Sequence, residues 1–206
     1  MEEIIRRLGL IKTVFTLFSA IRLIPHIVLL NIHPKKSIIK YDVLRWLKCK
    51  QIETSIIWGF IYLMTFCPEY RNLFYKRIGY IYTGVINWLC PKMNTLFINT
   101  KDIDIGPGLY IQHGFATIIA AKSIEKDCWI NQQVTIGYSN DTDCPTLGEN
   151  VVICAGAKII GKVHMGNNSM AGANAVVVKD VPENCTVVGV PAYIIKRNGV
   201  KVKELL

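Results

Sequence analysis

No Cys-x-x-Cys motif occurs in the 206 residues, and the seven cysteines, at 49, 67, 90, 128, 144, 154 and 185, are odd in number with no pair closer than ten residues. Such spacing argues against a disulfide framework or a zinc-thiolate site and for reduced thiols in a cytoplasmic chain. Histidine is scarce. His26, His33, His113 and His164 are scattered, without a carboxylate or thiol at metal-ligand spacing, so no metal is expected. A membrane-spanning run is missing from the first half, where the longest uncharged stretch, Thr54 to Pro68, falls short of the roughly 18 to 20 residues a bilayer requires. A secretory pattern is missing too. Glu2 and Glu3 open the chain, Arg22 follows the apolar stretch from Thr13 to Ile21, and no small-residue cleavage site appears.

Acidic residues are depleted only in the first half. The net charge of +9 belongs there, since residues 1–100 carry 14 Lys and Arg against 5 Asp and Glu while residues 101–206 carry 10 of each. A basic chain suggests nucleic acid, but these cations are interleaved with long apolar runs instead of forming a polar stripe, so no nucleic-acid partner is expected. From Ile4 to about Cys90 the pattern reads as helices broken near Pro25, Pro34, Pro68 and Pro91, rich in aromatics among Arg71, Lys76 and Arg77. The basic, aromatic mixture suits either a buried helical domain or peripheral contact with the inner face of a membrane, through shallow insertion of the Thr13 to Pro34 segment.

The second half has a period of six. Leu147, Ile153, Ile159, Met165, Ala171 and Val177 form an unbroken series, and four places after each stand Val151, Ala157, Val163, Ser169, Ala175 and Val181, all small or β-branched. Ile118, Ile124, Ile130 and Ile136 keep the same step upstream, and Ile105 with Ile111 keep it after a one-residue slip that falls at His113. A helix places apolar residues every three or four and a single sheet every two. A strict six therefore predicts short strands joined by tight turns into a triangular coil, with roughly five coils between Lys101 and Gly189.

Three stretches carry a family resemblance. Gly108-Leu109-Tyr110-Ile111-Gln112-His113-Gly114 resembles the catalytic turn of the hexapeptide acyltransferases, Val134-Thr135-Ile136-Gly137 the strand before their active-site loop, and Val187-Val188-Gly189-Val190-Pro191-Ala192 their ending. Within that family the chain is similar to the serine acetyltransferase-like branch, which includes sugar and capsule polysaccharide O-acetyltransferases. The resemblance implies a mainly β domain, a left-handed parallel β-helix over 99–192, preceded by an α-helical region over 1–98 and followed by a basic tail over 193–206. It also implies acetyl-CoA as cosubstrate and a homotrimer with active sites shared between neighbours.

Attack of an alcohol on a thioester needs a base near neutral pKa, and imidazole suits the task. His113 stands where the repeat slips and is expected to be that base. His164 lies inside an unbroken repeat and reads as an exposed side chain. A thin pantetheine arm needs small residues and free backbone groups, as in Ala155-Gly156-Ala157 and Gly172-Ala173. By resemblance these positions and Gly137 line the cofactor groove, with Lys179, or Lys196 and Arg197, meeting its phosphates.

Two departures from the serine enzymes fall in the acceptor pocket: Gln112 replaces an Asp before the catalytic His, and Cys144-Pro145 replaces a His-Pro pair. The loop from Gly137 to Glu149 holds Asp141, Asp143 and Glu149 but no cation for an amino-acid carboxylate. The expected function is therefore acetyl transfer to a saccharide hydroxyl, with Gln112, Asp141, Asp143 and Cys144 as acceptor-binding residues. Serine O-acetylation and a noncatalytic β-helix scaffold are the alternatives. Asp102, Asp104, Asp141 and Asp143 are all open as partners orienting His113.

Overall fold

Proline sets the helix boundaries of the N-terminal unit, because a residue without an N–H costs least in a first turn. In the computed structural model, which describes residues 10–206, Pro25 lies in the first turn of α2 and Pro68 opens α5. The helices are α1 (Leu10–Arg22), α2 (Ile24–Ile32), α3 (Lys36–Cys49), α4 (Ile56–Phe66) and α5 (Pro68–Ile86). The helical expectation for residues 4–9 lies outside the described residues. α5 breaks at Gly79, whose φ of 80° and ψ of 175° form a conformation reserved for glycine. Edge-on aromatic contacts, Trp46 to Tyr70 and Phe60 to Phe74, both at 5.1 Å, build the centre of this unit.

Polar groups are buried here as well. The Arg77 Nε donates to Asp42 Oδ2 at 2.9 Å, with both side chains almost fully enclosed. His26, fully buried, is hydrogen-bonded through Nε2 to the Tyr75 hydroxyl at 2.9 Å, and that hydroxyl donates to the Cys90 carbonyl at 2.7 Å. With the tyrosine proton committed, Nε2–H is the donor and Nδ1 is left without a partner among the described residues.

The chain divides between Met93 and Asn94, not at the expected 98 and 99. Strand β1 (Leu96–Ile98) already pairs in parallel with β3 (Thr117–Ile119) and belongs to the coil. The C-terminal unit is a left-handed β-helix of about five turns, its strands stacked into three faces. Face A holds β1, β3, β6 (Thr135–Gly137), β9 (Lys158–Ile160) and β12 (Val176–Val177). Face B holds β4 (Ser123–Ile124), β7 (Thr146–Leu147) and β10 (His164–Met165), extended by bridges at Ile105 and Val181. Face C holds β2 (Tyr110–Ile111), β5 (Trp129–Ile130), β8 (Val152–Ile153), β11 (Met170–Ala171) and β13 (Cys185–Val188). Residues 193–206, expected as a tail, form β14 (Tyr193–Arg197) and β15 (Val200–Leu205), an antiparallel hairpin added to face C. Its charges are partly matched, with Arg197 bound to Glu204 at 2.6 Å.

All six members of the Leu147 to Val177 series are buried, as are the six residues that follow them by four. The upstream series is different. Ile118 is 41% exposed, and Ile119 at 0% takes the interior place, stacked on Ile136. Extra residues between Ile111 and β3 shift the register, and a strand turns over when its register moves by one. Ile119→Ala should therefore cost about 2–4 kcal/mol in urea unfolding and Ile118→Ala under about 0.5. Equal losses would restore the uninterrupted step.

Burial, then the charges of Arg22 and Arg71, lowers the His26 pKa from 6.5 to about 4. The unfolded chain takes up this proton near pH 6.5 and the folded chain only near 4, so between those values acid favours unfolding, by up to about 3 kcal/mol. Urea midpoints should fall from pH 7 to pH 4.5, and His26→Leu should flatten that slope.

Candidate active site

Three edges join the three faces. Residues 112–116, 131–134, 154–157 and 172–175 form the first edge, between faces C and A. Residues 120–122, 138–145, 161–163 and 178–180 form the second, between faces A and B. The third, between faces B and C, carries an asparagine stack in which Asn150 Nδ2 donates to Asn168 Oδ1 at 3.0 Å and Asn168 Nδ2 to Asn184 Oδ1 at 3.1 Å. All three have φ near 56°, a conformation asparagine tolerates while its amide bonds along the stack. Their recurrence at turn positions was the signal for this edge, and the hydrophobic period passes over it.

His113 stands at the start of the first edge. Its φ is 66°, and the Gly114 N–H donates to the Gln112 carbonyl at 2.8 Å. A hydrogen bond closed over two residues around a positive-φ centre is a strained γ-turn. The Gln112 N–H is anchored at 2.8 Å on the Ile130 carbonyl of the next coil, so the strain sits on a fixed strand end and the imidazole is carried into solvent. Ile111 stacks on Ile130 nineteen residues later, where a regular coil such as Ile153 on Ala171 takes eighteen. Among the described residues no side chain is hydrogen-bonded to the His113 ring.

Of the expected cofactor residues, Ala155, Gly156, Ala157, Gly172 and Ala173 share this edge. The Gly156 N–H donates to the Gln132 carbonyl at 3.0 Å and the Asn174 N–H to the Ala155 carbonyl at 2.9 Å, so the Ala155 and Ala173 corners lie one below the other, beneath the His113 corner. Ala157 is buried behind them. Gly156 has a structural requirement of its own: its φ is 75°, and a Cβ there would collide with the Asn174 side chain. A cation that the period passes over, Lys158, donates to the Gln133 carbonyl at 2.5 Å beside this edge.

The remaining expected residues lie on the second edge. Between Ile130 and Ile153 the coil takes twenty-three residues, and the excess forms the loop from Tyr138 to Pro145. Gly137 ends β6 at its base, and a Cβ there would meet nothing within 4 Å. Asp143, expected to bind acceptor, is committed to its own loop. It accepts from the Ser139 hydroxyl at 2.6 Å, from the Ser139 and Asn140 N–H groups at 2.9 and 3.0 Å, and from the Asn140 amide at 3.1 Å. The Ser139 hydroxyl foremost holds this carboxyl below the usual carboxylate range. Asn140 closes the brace, its Oδ1 accepting from the N–H groups of Thr142 and Asp143. Asp141 is exposed in the same loop. Cys144 is half-buried and hydrogen-bonded to the Tyr138 hydroxyl, which pushes that tyrosine's pKa up. Lys179 donates to the Leu206 carbonyl at 2.7 Å.

Within one chain the structure thus separates His113 and Gln112 from Asp141, Asp143 and Cys144. Crossing face A from Val134 to Tyr138 takes about 13 Å of strand at roughly 3.3 Å per residue. Asp102 and Asp104, in the 3₁₀ turn (Asp102–Asp104) between β1 and the first bridge of face B, also belong to the second edge. All four carboxylates that the sequence leaves open as partners of His113 lie there. His164 is exposed on face B, bonded through Nδ1 to the Thr146 hydroxyl at 2.9 Å, while its backbone N–H donates to Asp180 Oδ1 at 2.7 Å.

If the γ-turn is strained by its side chain, His113→Gly should match or exceed the wild-type melting temperature while His113→Val loses about 1–2 kcal/mol. A destabilised glycine variant would show that the imidazole, not the backbone, holds the turn.

No family model matches the chain. A serine acetyltransferase of Synechococcus elongatus is 44% identical over 105 residues, covering 49% of this chain and 43% of that protein. The chain therefore spans less than half the length of this curated relative. Among solved structures, a serine acetyltransferase of Neisseria gonorrhoeae superposes with a TM-score of 0.62 at 22% identity, covering 81% of this chain and 67% of the other. A serine acetyltransferase in complex with CoA superposes with a TM-score of 0.56 at 23% identity, covering 89% and 84%. These superpositions establish the shared fold.

Proposed function

We propose that the protein is an acetyl-CoA-dependent O-acetyltransferase with His113 as general base. The observation that carries this reading is the imidazole held out on a strained turn at the head of an edge of small residues, in a chain 44% identical over 105 residues to a serine acetyltransferase. The acceptor hydroxyl loses its proton to His113 as its oxygen attacks the thioester carbonyl. The tetrahedral intermediate then collapses, expelling the CoA thiolate, which takes that proton from the imidazolium. The cofactor arm runs along Ala155, Gly156, Ala157 and Ala173. Lys158 stands beside this edge, whereas Lys179 reaches the cofactor only from another subunit.

The site is completed by a second copy. Face A turns Phe97 and Ile118 outward, with Phe115 at its margin, all partly exposed, and burying that apolar strip against a neighbour in a homotrimer brings one subunit's second edge to the next one's first edge. A partner's Asp102, Asp104 or Asp141 then orients His113, and its Gly137 and Cys144 border the acceptor.

Serine is the acceptor that the relatives favour, in place of the saccharide expected from the sequence. The saccharide remains as a second reading because the loop from Tyr138 to Pro145 contains no cation to hold a serine carboxylate. Both readings place the reaction on the cytoplasmic side, with the basic N-terminal unit in peripheral contact with the membrane.

Thiol release from acetyl-CoA with serine and with a sugar panel tests class and acceptor together. His113→Ala should lower turnover by about 10²- to 10⁴-fold with trimer and acetyl-CoA binding retained. Retention of most turnover would remove His113 from the mechanism.

A further inference from the structure

Helix α1 is built inside out. Its inward stripe is polar, with Thr13, Thr16 and Ser19 all buried, Thr16 at 3% exposure, while Phe15, Phe18 and Ile21 are 60%, 72% and 70% exposed beside Val14 and Leu17. The Thr16 hydroxyl satisfies itself on the Lys12 carbonyl at 2.8 Å. Past Arg22 only the exposed half of the pattern continues: Ile24, Val28 and Ile32 face outward, while the inward side of α2 buries Leu29 and Leu30 along with His26. A helix packed on a water-soluble core shows the opposite arrangement. Beyond the Gly79 break, Tyr80, Ile81, Val85 and Trp88 are exposed as well, and Tyr82 meets His33 edge-on at 5.4 Å, linking this segment to the end of α2.

We propose that the outward faces of α1 and α2 dock on an anionic lipid bilayer, lying in its interface without crossing it. No single described helix is long and apolar enough to span; α1 and α2 together have the length and composition, but they bend by 73°, and at about 1.5 Å per residue α1 alone reaches roughly 20 Å against about 30 Å of hydrocarbon, so a helix pair folded on itself suits the interface. Charge selects lipid over a second copy. Residues 1–93 carry 14 Lys and Arg against 5 Asp and Glu, and of the three acidic residues described in this unit Asp42 and Glu69 are buried. Lys12 and Arg22 flank the exposed face of α1, and Lys36 follows α2. Two such surfaces would bring like charges together, whereas anionic headgroups neutralise the rim as the aromatic and aliphatic side chains enter the acyl boundary.

This gives the membrane contact of the proposed function a defined surface and rests on that part of the reading. The transfer reaction is assayed in solution, so its outcome is separable. The full-length protein is sedimented with vesicles of phosphatidylcholine alone and of phosphatidylcholine with phosphatidylglycerol at 3:1 by composition. Wild type should pellet with the anionic vesicles, and Phe15→Ser with Phe18→Ser should reduce partitioning at least tenfold at unchanged helicity. Lys12→Gln with Arg22→Gln should lower binding several-fold and flatten its salt dependence. Quenching of tryptophan fluorescence by brominated lipid, measured on wild type, provides a reading that needs no variant to fold. Absence of both pelleting and quenching overturns the proposal. So does a solution oligomer that dissociates in the double serine variant without any vesicle binding, which would assign the face to a second copy.

Discussion

The coil-to-coil register is the constraint on which the C-terminal unit depends. Each face stacks one aliphatic residue per turn, such as Ile119, Ile136, Ile159 and Val177 on face A, and every stacked pair is closed by backbone hydrogen bonds to the coils above and below. A parallel coil has no local pairing to fall back on, so a misplaced residue displaces everything stacked upon it. Corner residues in left-handed conformation, Asn150, Asn168 and Asn184 on one edge and Gly156 and Asn174 on another, let the chain turn without consuming interior positions.

The candidate site residues stand where the register is allowed to fail. The excess of residues between Ile111 and β3 produces the His113 turn, and the excess between Ile136 and Leu147 produces the braced loop. Neither disturbs the ladder, because the coils on both sides pin it. The core can therefore carry a strained residue and a protruding loop at two edges, the same two edges that a trimer would bring together. The division of candidate residues between them follows from the geometry of a prism: neighbouring corners of one chain cannot converge across a flat face.

The N-terminal unit solves a different problem. It encloses Asp42 with Arg77, and His26 with Tyr75 and Cys90, at the cost of desolvating groups that gain only if paired. Its outermost helices meanwhile leave apolar side chains in water. Buried polarity beside exposed apolarity is unfavourable for a unit surrounded only by solvent, and it becomes consistent once part of that surface faces another apolar phase.

Hydrophobic period alone determined that the second half is a triangular coil, because only a six-residue step repeats an interior position on every face. It located the interruption at His113, the proline-bounded helices and the concentration of charge in the first half. It misassigned Ile118. An isoleucine reads the same whether it faces a core or a neighbouring surface, and two adjacent isoleucines leave the register open until the coils are stacked. The commitment of Asp143 to Ser139 and Asn140, the polar inner stripe of α1, and the placement of His113 and Asp141 on different edges were decided by tertiary structure. Each depends on which way a side chain points, and composition and spacing carry no direction until the backbone is folded.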